Sequence, residues 1–158
     1  VTGKGDPGIG AEFNCAVDPE AAASAFEAFP DIQLVDWEAV LRHGFRHEDF
    51  EEWLNVPGAT AAFYDRISLK TRQWAEGKRG MLWHSADALA MMAALYPEYI
   101  VENNRHFTHI ETTGKHTRGA TVVDWLGRSG CRAQTDIVAE LDQPRFESLI
   151  RQALGHPE

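Results

Sequence analysis

Apolar and polar residues follow two different periods along this chain, and each period predicts one kind of element. Apolar side chains that recur every three or four residues predict amphipathic helices. These segments are residues 21–29, 47–54, 59–76 and 87–95, with a further helix beginning at residue 37. Short apolar runs between polar or glycine-containing turns predict strands. These runs are residues 32–35, 107–112, 120–125 and 137–141.

Local signals mark where several helices begin. The run Asp18-Pro19-Glu20 supplies a cap, a proline at the first helical position and an acid in the first turn. The run Asp142-Gln143-Pro144 starts a last helix that is expected to end at Leu154. Ser85 is placed to cap the segment 87–95, which is apolar on nearly every side and is therefore expected to be buried. The mixture of elements predicts an α/β fold with a mostly parallel sheet flanked by helices.

Composition and charge narrow the function classes. Of the 158 residues, 44% are hydrophobic and 25% charged, so we expect a packed core within one domain or a large part of one. The formal net charge of -9 disfavours a nucleic-acid partner. No apolar run approaches the roughly 18 residues that a membrane span needs. Cys15 and Cys131 are far apart and form no metal-binding motif, so we expect free thiols in a reduced, cytoplasmic compartment.

Two familiar spacings are present without their usual context. Gly3, Gly5 and Gly8 match G-x-G-x-x-G, but no strand precedes them and no helix follows directly, which disfavours a dinucleotide site. His43 and His47 lie four residues apart, as two zinc ligands on one helix face would. No further ligand stands at a suitable spacing, and a solvated helix end is the preferred interpretation.

Two other places offer polar chemistry beside apolar segments. If residues 12–14 are extended, Glu12 and Asn14 point the same way while Phe13 faces the core. A carboxylate and an amide together suit the neighbouring hydroxyls of a sugar, and a polar strand end is an equal alternative. Asp87 begins an apolar helix, where it either favours the helix dipole or binds a hard cation. His84, three residues earlier, is either structural or a proton donor.

Four separated segments, in order, resemble one family. They are Ala11-Glu12-Phe13-Asn14 with the run 17–22, Ser85-Ala86-Asp87-Ala88-Leu89-Ala90, the loop 114–119 with its Thr117-Arg118-Gly119, and the run 122–125. Together they resemble the C-terminal half of nucleoside hydrolases. Residues 37–43 and 66–68 are most similar to the branch common in animals.

The resemblance implies cleavage of the N-glycosidic bond of ribonucleosides by a water that calcium activates. In that family Asp87 would be a carboxylate ligand of the ion, while Glu12 and Asn14 would hold ribose hydroxyls. The resemblance also implies a homo-oligomer. Calcium takes six to eight oxygens, so it can bind sugar hydroxyls, carboxylates and a water together.

Three departures limit what the resemblance implies. The family's N-terminal acidic motif, with most calcium ligands and the general base, is absent, and no Asp-rich cluster replaces it. Asp6 stands where an asparagine is usual, and it can accept from a hydroxyl but cannot donate as an amide does. Ala86 stands where some members have a histidine that protonates the leaving group, and His84 is the nearest substitute.

Two hypotheses of different classes follow. In the first, the chain is part of a calcium-dependent nucleoside hydrolase whose other half is missing or lies on a complementary chain, and it is inactive alone. In that case Trp74, Tyr64 or Trp83 is expected to stack on the nucleobase. In the second, the chain is a non-catalytic homologue that binds a partner protein. A ribonucleoside is the expected ligand of the first, and neither requires nucleic acid or a membrane.

Overall fold

The computed structural model describes the backbone of residues 10–79 and 82–157, and the side chains of all of these except residues 77–79. The chain divides into two compact units. The sheet unit comprises Val1–Ala39 and Ile100–Glu140, and the helical unit comprises Val40–Tyr99 and Leu141–Glu158. Helix α3 (Trp37–Arg42) carries the chain across the first boundary. No described helix is long and apolar enough to cross a membrane.

The described residues of the sheet unit form two helices and four strands. They are α1 (Phe13–Val17), α2 (Pro19–Ala28), β1 (Ile32–Val35), β4 (Ile100–Ile110), β5 (Thr121–Asp124) and β6 (Thr135–Leu141), whose last residue belongs to the helical unit. The strands form one sheet in the order β1-β6-β4-β5, and α2 packs on β4. Strand β1 runs parallel to β6, whereas β4 and β5 are antiparallel. The α/β class is confirmed, and the sheet is mixed because a short hairpin connection can join only antiparallel strands.

The central strands carry the core of the sheet unit. Ile110, Ile137 and Val138 are at most 5% exposed. The Gln134 side chain is also buried there, and its amide donates to the Thr108 carbonyl at 2.6 Å while its oxygen accepts from the Thr108 N–H at 3.2 Å. This amide therefore satisfies strand backbone that lies away from water.

The helical unit contains the remaining elements, together with the C-terminal part of α3. They are α3 (Trp37–Arg42), β2 (Phe45–Arg46), α4 (His47–Leu54), α5 (Ala59–Arg79), β3 (Leu82–Trp83), α6 (Ala86–Leu95), a 3-10 turn (Pro97–Tyr99) and α7 (Gln143–Leu154). Its core is an aromatic cluster around Phe45 and Phe50. The Phe45 ring lies 5.0 Å from that of Phe146, and the Phe50 ring lies 6.0 Å from that of Trp83. Strands β2 and β3 pair antiparallel, with Phe45 opposite Trp83.

The charged side chain of Arg72 is buried in the helical unit. Arg72 on α5 is 3% exposed, and its Nε donates to the Ser68 hydroxyl at 3.1 Å. Its two terminal nitrogens bind the carboxylates of Asp65 and Glu51, both of which are more than half exposed. The guanidinium is thus buried while its partners remain in water.

Several predicted elements need correction. The apolar helix 87–95 is not buried on every side, because α6 buries Leu89 and Met92 but exposes Met91 and Leu95. Strand β4 begins at Ile100, well before the predicted residue 107. The prediction missed its first half because those residues are polar and exposed and show no apolar alternation. Strands β2 and β3 have only two residues each, too few to show a period.

Candidate active site

Glu12 and Asn14 belong to the sheet unit, where they form the start of α1. Glu12 is the N-cap residue, and its Oε2 accepts from the backbone N–H of Asn14 at 2.9 Å and of Cys15 at 3.3 Å. Its Oε1 accepts from the Asn14 side-chain amide at 3.4 Å. A carboxylate has about four acceptor sites, so Oε1 keeps capacity for a hydroxyl. The Glu12 carboxylate is therefore oriented by its own helix.

The pair converges for a different reason than strand alternation. Residues 13–17 are helical, so the condition that residues 12–14 are extended is not met. Phe13 is 53% exposed and does not face the core, as the alternation required. The two polar groups meet because a carboxylate at a helix N-cap accepts hydrogen bonds from the backbone N–H groups of the second and third residues that follow it. Because residues 13–17 form a helix, the alternative interpretation of a polar strand end is wrong.

The thiol of Cys15, beside this pair, has a shifted pKa. Cys15 is half-buried and unpaired, and burial, together with the nearby Glu12 carboxylate, raises the pKa of its thiol. The thiol form is therefore maintained next to Glu12. Cys131 is exposed and unpaired as well, in agreement with the prediction of two free thiols.

His84 and Asp87 belong to the helical unit. Asp87 lies in the first turn of α6 and is exposed. Ser85 occupies the N-cap position, as predicted, but its side chain makes no capping hydrogen bond. A carboxylate in this turn is favoured by the positive end of the helix, which also stabilises Asp87 without any ligand.

The imidazole of His84 packs closely against Gly44. A Cβ added at Gly44 would lie 2.8 Å from the His84 Nε2 and 3.0 Å from both the His84 Cδ2 and the Leu82 Cβ. The Nε2 atom is buried there. A proton given to a leaving group would consequently have to come from Nδ1. The sequence offered no signal for this contact, because the two residues are forty positions apart.

The other two candidate histidines, His43 and His47, are structural. His43 follows α3 and His47 begins α4, so they do not share a helix, and both are buried, so the predicted solvated helix end is wrong. The His43 Nε2 accepts from the Leu141 N–H at 3.1 Å. The His47 ring meets Trp83 edge-on at 6.5 Å. These contacts join α3 and α4 to the core of the helical unit.

A metal ion needs more ligands than the described residues bring together. Among residues 10–79 and 82–157, no group of three or more His, Cys, Asp or Glu side chains lies close enough to hold one. Asp87 supplies one carboxylate where calcium takes six to eight oxygens. These residues alone do not fit a calcium site. Asp6 and the glycines of the G-x-G-x-x-G spacing lie outside the described residues.

The aromatic candidates for nucleobase stacking differ in exposure. Trp83 is 8% exposed within the aromatic cluster, so its ring has no open face for a base. Tyr64 is half-buried, edge-on to Phe50 at 5.9 Å. Trp74 is 53% exposed. Of the three, Trp74 alone presents a large accessible ring.

The family follows from comparison with known proteins. The sequence-family model of the inosine-uridine preferring nucleoside hydrolases matches residues 1–148. The chain belongs to this family. It corresponds to the C-terminal half, as the ordered segments predicted.

Individual relatives agree with this assignment. The chain is 30% identical over 152 residues to the pyrimidine-specific ribonucleoside hydrolase RihA of Enterobacter sp. (strain 638), covering 92% of the chain and 47% of the relative. It is 29% identical over 154 residues to the non-specific ribonucleoside hydrolase RihC of Salmonella paratyphi B, covering 98% and 49%. The chain thus spans about half the length of the curated relatives it matches.

A solved structure shows the same fold. An inosine-guanosine nucleoside hydrolase superposes with a TM-score of 0.85 at 24% identity, covering 99% of this chain and 49% of that one.

Proposed function

We propose that the protein containing this chain hydrolyses the N-glycosidic bond of ribonucleosides to ribose and free base. The observation that carries the proposal is the Glu12 carboxylate, which α1 orients beside the Asn14 amide. A fixed acceptor next to a donor and acceptor suits the adjacent hydroxyls of a ribose. Family membership supplies the reaction class, and the relatives' names differ on whether pyrimidines are required.

Each candidate residue has a separate task in this proposal. Glu12 accepts a hydrogen bond from a ribose hydroxyl through Oε1, and Asn14 donates to or accepts from a neighbouring hydroxyl. His84 is the candidate proton donor to the departing base, through Nδ1. Asp6 is the candidate acceptor for a further hydroxyl. Because Glu12 is already oriented, little side-chain entropy is lost when the sugar binds.

Calcium enters the proposal through Asp87 alone. Its exposed carboxylate is available as one ligand, and the other ligands and the general base would come from a complementary half that carries the acidic motif. No reaction step through the ion is derived from this chain, because the described residues do not complete a site. The expected behaviour is hydrolysis that requires both halves.

The experiment measures release of base from inosine and uridine. This chain is assayed alone and as part of the natural full-length protein, each with calcium and with a chelator. We expect activity only in the full-length protein with calcium, and a large loss in Asp87→Ala. If the full-length protein cleaves no ribonucleoside, the proposal is wrong, and binding to a partner protein becomes the hypothesis to test.

A second arm tests the ribose contact. Glu12→Gln keeps the size of the side chain but removes its charge, and a hydrogen bond to a charged group contributes about 1.5–3 kcal/mol. We therefore expect kcat/KM to fall roughly 10- to 100-fold. Glu27→Gln, on the exposed face of α2 in the same unit, is the matched control and should leave kcat/KM unchanged. Nucleosides that lack the 2′-, 3′- or 5′-hydroxyl identify the hydroxyl, because Glu12→Gln should not affect the analogue that lacks it.

A further inference from the structure

The turn between β4 and β5 lies directly against the helix that carries the candidate ribose contacts. Gly119 in this turn has a φ of 85°, in the left-handed region that favours glycine. A Cβ there would lie 2.9 Å from the Cys15 carbonyl oxygen and 3.1 Å from both Ala11 Cβ and Ala16 Cα. Two of these three atoms belong to the backbone, so they cannot move unless the chain of α1 moves. The absence of a side chain at Gly119 thus lets the turn approach α1.

The turn is held in place by its own hydrogen bonds. The Gly119 N–H donates to the Glu111 carbonyl at 2.6 Å, and the Arg118 N–H donates to the Gly114 carbonyl at 3.0 Å. The Glu111 carboxylate accepts from the Thr113 N–H at 2.7 Å and the Gly114 N–H at 3.1 Å. The surface that α1 meets is therefore fixed by β4 and the turn.

A second contact joins the turn to the next helix. The Arg118 guanidinium binds the Glu20 carboxylate through two hydrogen bonds, Nη1 to Oε1 at 2.6 Å and Nη2 to Oε2 at 2.7 Å. Its Nη1 also donates to the Thr112 carbonyl. The pair is about half exposed, so its energy alone is small. Its two-point geometry, however, fixes the direction of the first turn of α2, which follows α1 after one residue.

We propose that Arg118 and Gly119 are positioning residues that hold α1, and with it Glu12 and Asn14, in the orientation that binds ribose. Gly119 sets the distance between the turn and α1, and Arg118 anchors α2 to the same turn. This inference rests on the function proposed above for Glu12 and Asn14. It gives the Thr117-Arg118-Gly119 segment a task that its sequence alone does not indicate.

The first test compares Gly119→Ala with Gly127→Ala in the natural full-length protein. Gly127 also has a positive φ, 65°, but a Cβ there meets no atom within 4 Å. Both variants place an alanine at a positive φ, but only Gly119→Ala brings the added Cβ against α1. A displacement approaching 1 Å can lower a rate by about 100-fold. We expect kcat/KM to fall about 10- to 100-fold in Gly119→Ala and to stay within about twofold of wild type in Gly127→Ala.

A substrate ratio separates positioning from general destabilisation. A variant that only unfolds part of the protein lowers kcat/KM equally for a ribonucleoside and for the deoxynucleoside that lacks the hydroxyl held by Glu12. A variant that moves Glu12 lowers the ratio between the two substrates. We expect the ratio to fall in Gly119→Ala and not in Gly127→Ala. Equal ratios in wild type and Gly119→Ala would overturn the proposal.

The second test uses Arg118 and keeps the proposal falsifiable if Gly119→Ala does not fold. Arg118→Ala should lower the same ratio, and Arg118→Lys should restore it only in part, because an ammonium cannot make the two-point contact. The control is Arg132→Ala, whose side chain is 70% exposed and lies 3.5 Å from Asp31 in the same unit. An Arg118→Ala ratio equal to that of Arg132→Ala would contradict the role of Arg118.

Hydrogen exchange provides a readout without turnover. The backbone amides of Asn14, Cys15 and Ala16 should exchange faster in Gly119→Ala and Arg118→Ala than in their controls. Unchanged exchange in both variants would overturn the proposed contact even in an active enzyme. If the wild-type protein is inactive, the proposed function fails and the positioning role fails with it. An active wild type with unchanged variants would overturn the positioning role alone.

Discussion

Replacing Gly44 by alanine tests whether the backbone at this position determines where the His84 imidazole lies. The added Cβ would lie 2.8 Å from the His84 Nε2, where ordinary contacts begin near 3.4 Å. Either the ring or the backbone at Gly44 must therefore move by several tenths of an ångström. Overfilling a packed site costs about 1–3 kcal/mol. Alanine also restricts the unfolded chain, which offsets about 0.4–1 kcal/mol where the backbone is compatible, so we expect a net loss of about 1–2 kcal/mol.

A double variant tests whether the expected loss of stability comes from the contact between the added methyl group and the His84 ring. In the double variant Gly44→Ala with His84→Ala, the ring that meets the new methyl group is gone, and only the Leu82 Cβ remains at 3.0 Å. The two substitutions should therefore be coupled by about 1 kcal/mol, with the double variant more stable than the sum predicts. Gly58→Ala is the matched control, because a Cβ there meets no atom within 4 Å.

The assay is urea denaturation of each variant, combined with NMR of the histidine ring protons. We expect the free energy of unfolding to fall in Gly44→Ala and to stay within about 0.5 kcal/mol of wild type in Gly58→Ala, where loss of the helix-start glycine and restriction of the unfolded chain offset each other. The His84 ring resonances should move only in Gly44→Ala. A Gly44→Ala protein as stable as wild type, with unmoved His84 resonances, would refute the packing of this ring on the Gly44 backbone.

Three further predictions concern stability. Arg72→Met should change the free energy of unfolding by less than about 1 kcal/mol, since its partners stay hydrated, whereas Arg72→Ala leaves a cavity and should cost about 2–3 kcal/mol; equal losses in urea melts would contradict this. Hydrogen bonds from the side chain and backbone of Ser129, and then from the Arg128 N–H, hold the pKa of Asp124 well below its usual value. A lowered carboxyl pKa contributes stability above the unfolded value of about 3.9 that is lost as the pH falls through the folded pKa, so wild type should exceed Asp124→Asn at pH 6 and approach it below about pH 3; a constant difference in urea melts would refute the assignment. Phe50→Ala should cost about 3–5 kcal/mol and Phe50→Leu clearly less, because Phe50 is 1% exposed at the centre of the aromatic cluster; similar losses would mean that the cluster repacks.

The elements that could be predicted from the sequence are those whose pattern is local. A helix or strand long enough to bury one face leaves a period in the chain, which is why the segments 32–35, 47–54 and 59–76 agree closely with β1, α4 and α5. The family was also readable, because its segments appear in order along the chain. The short helix α1 was missed, since five residues are too few to show a period.

Which residues lie together could not be predicted from the sequence, because it depends on how the elements pack in three dimensions. Arg118 meets Glu20 across 98 positions, and Gly44 meets His84 across forty. Such contacts depend on how elements pack, and a period along the chain reports burial of a face without identifying what covers it. The same reason explains α6, where uniform apolar composition predicted burial all round but packing covered one face and exposed Met91 and Leu95.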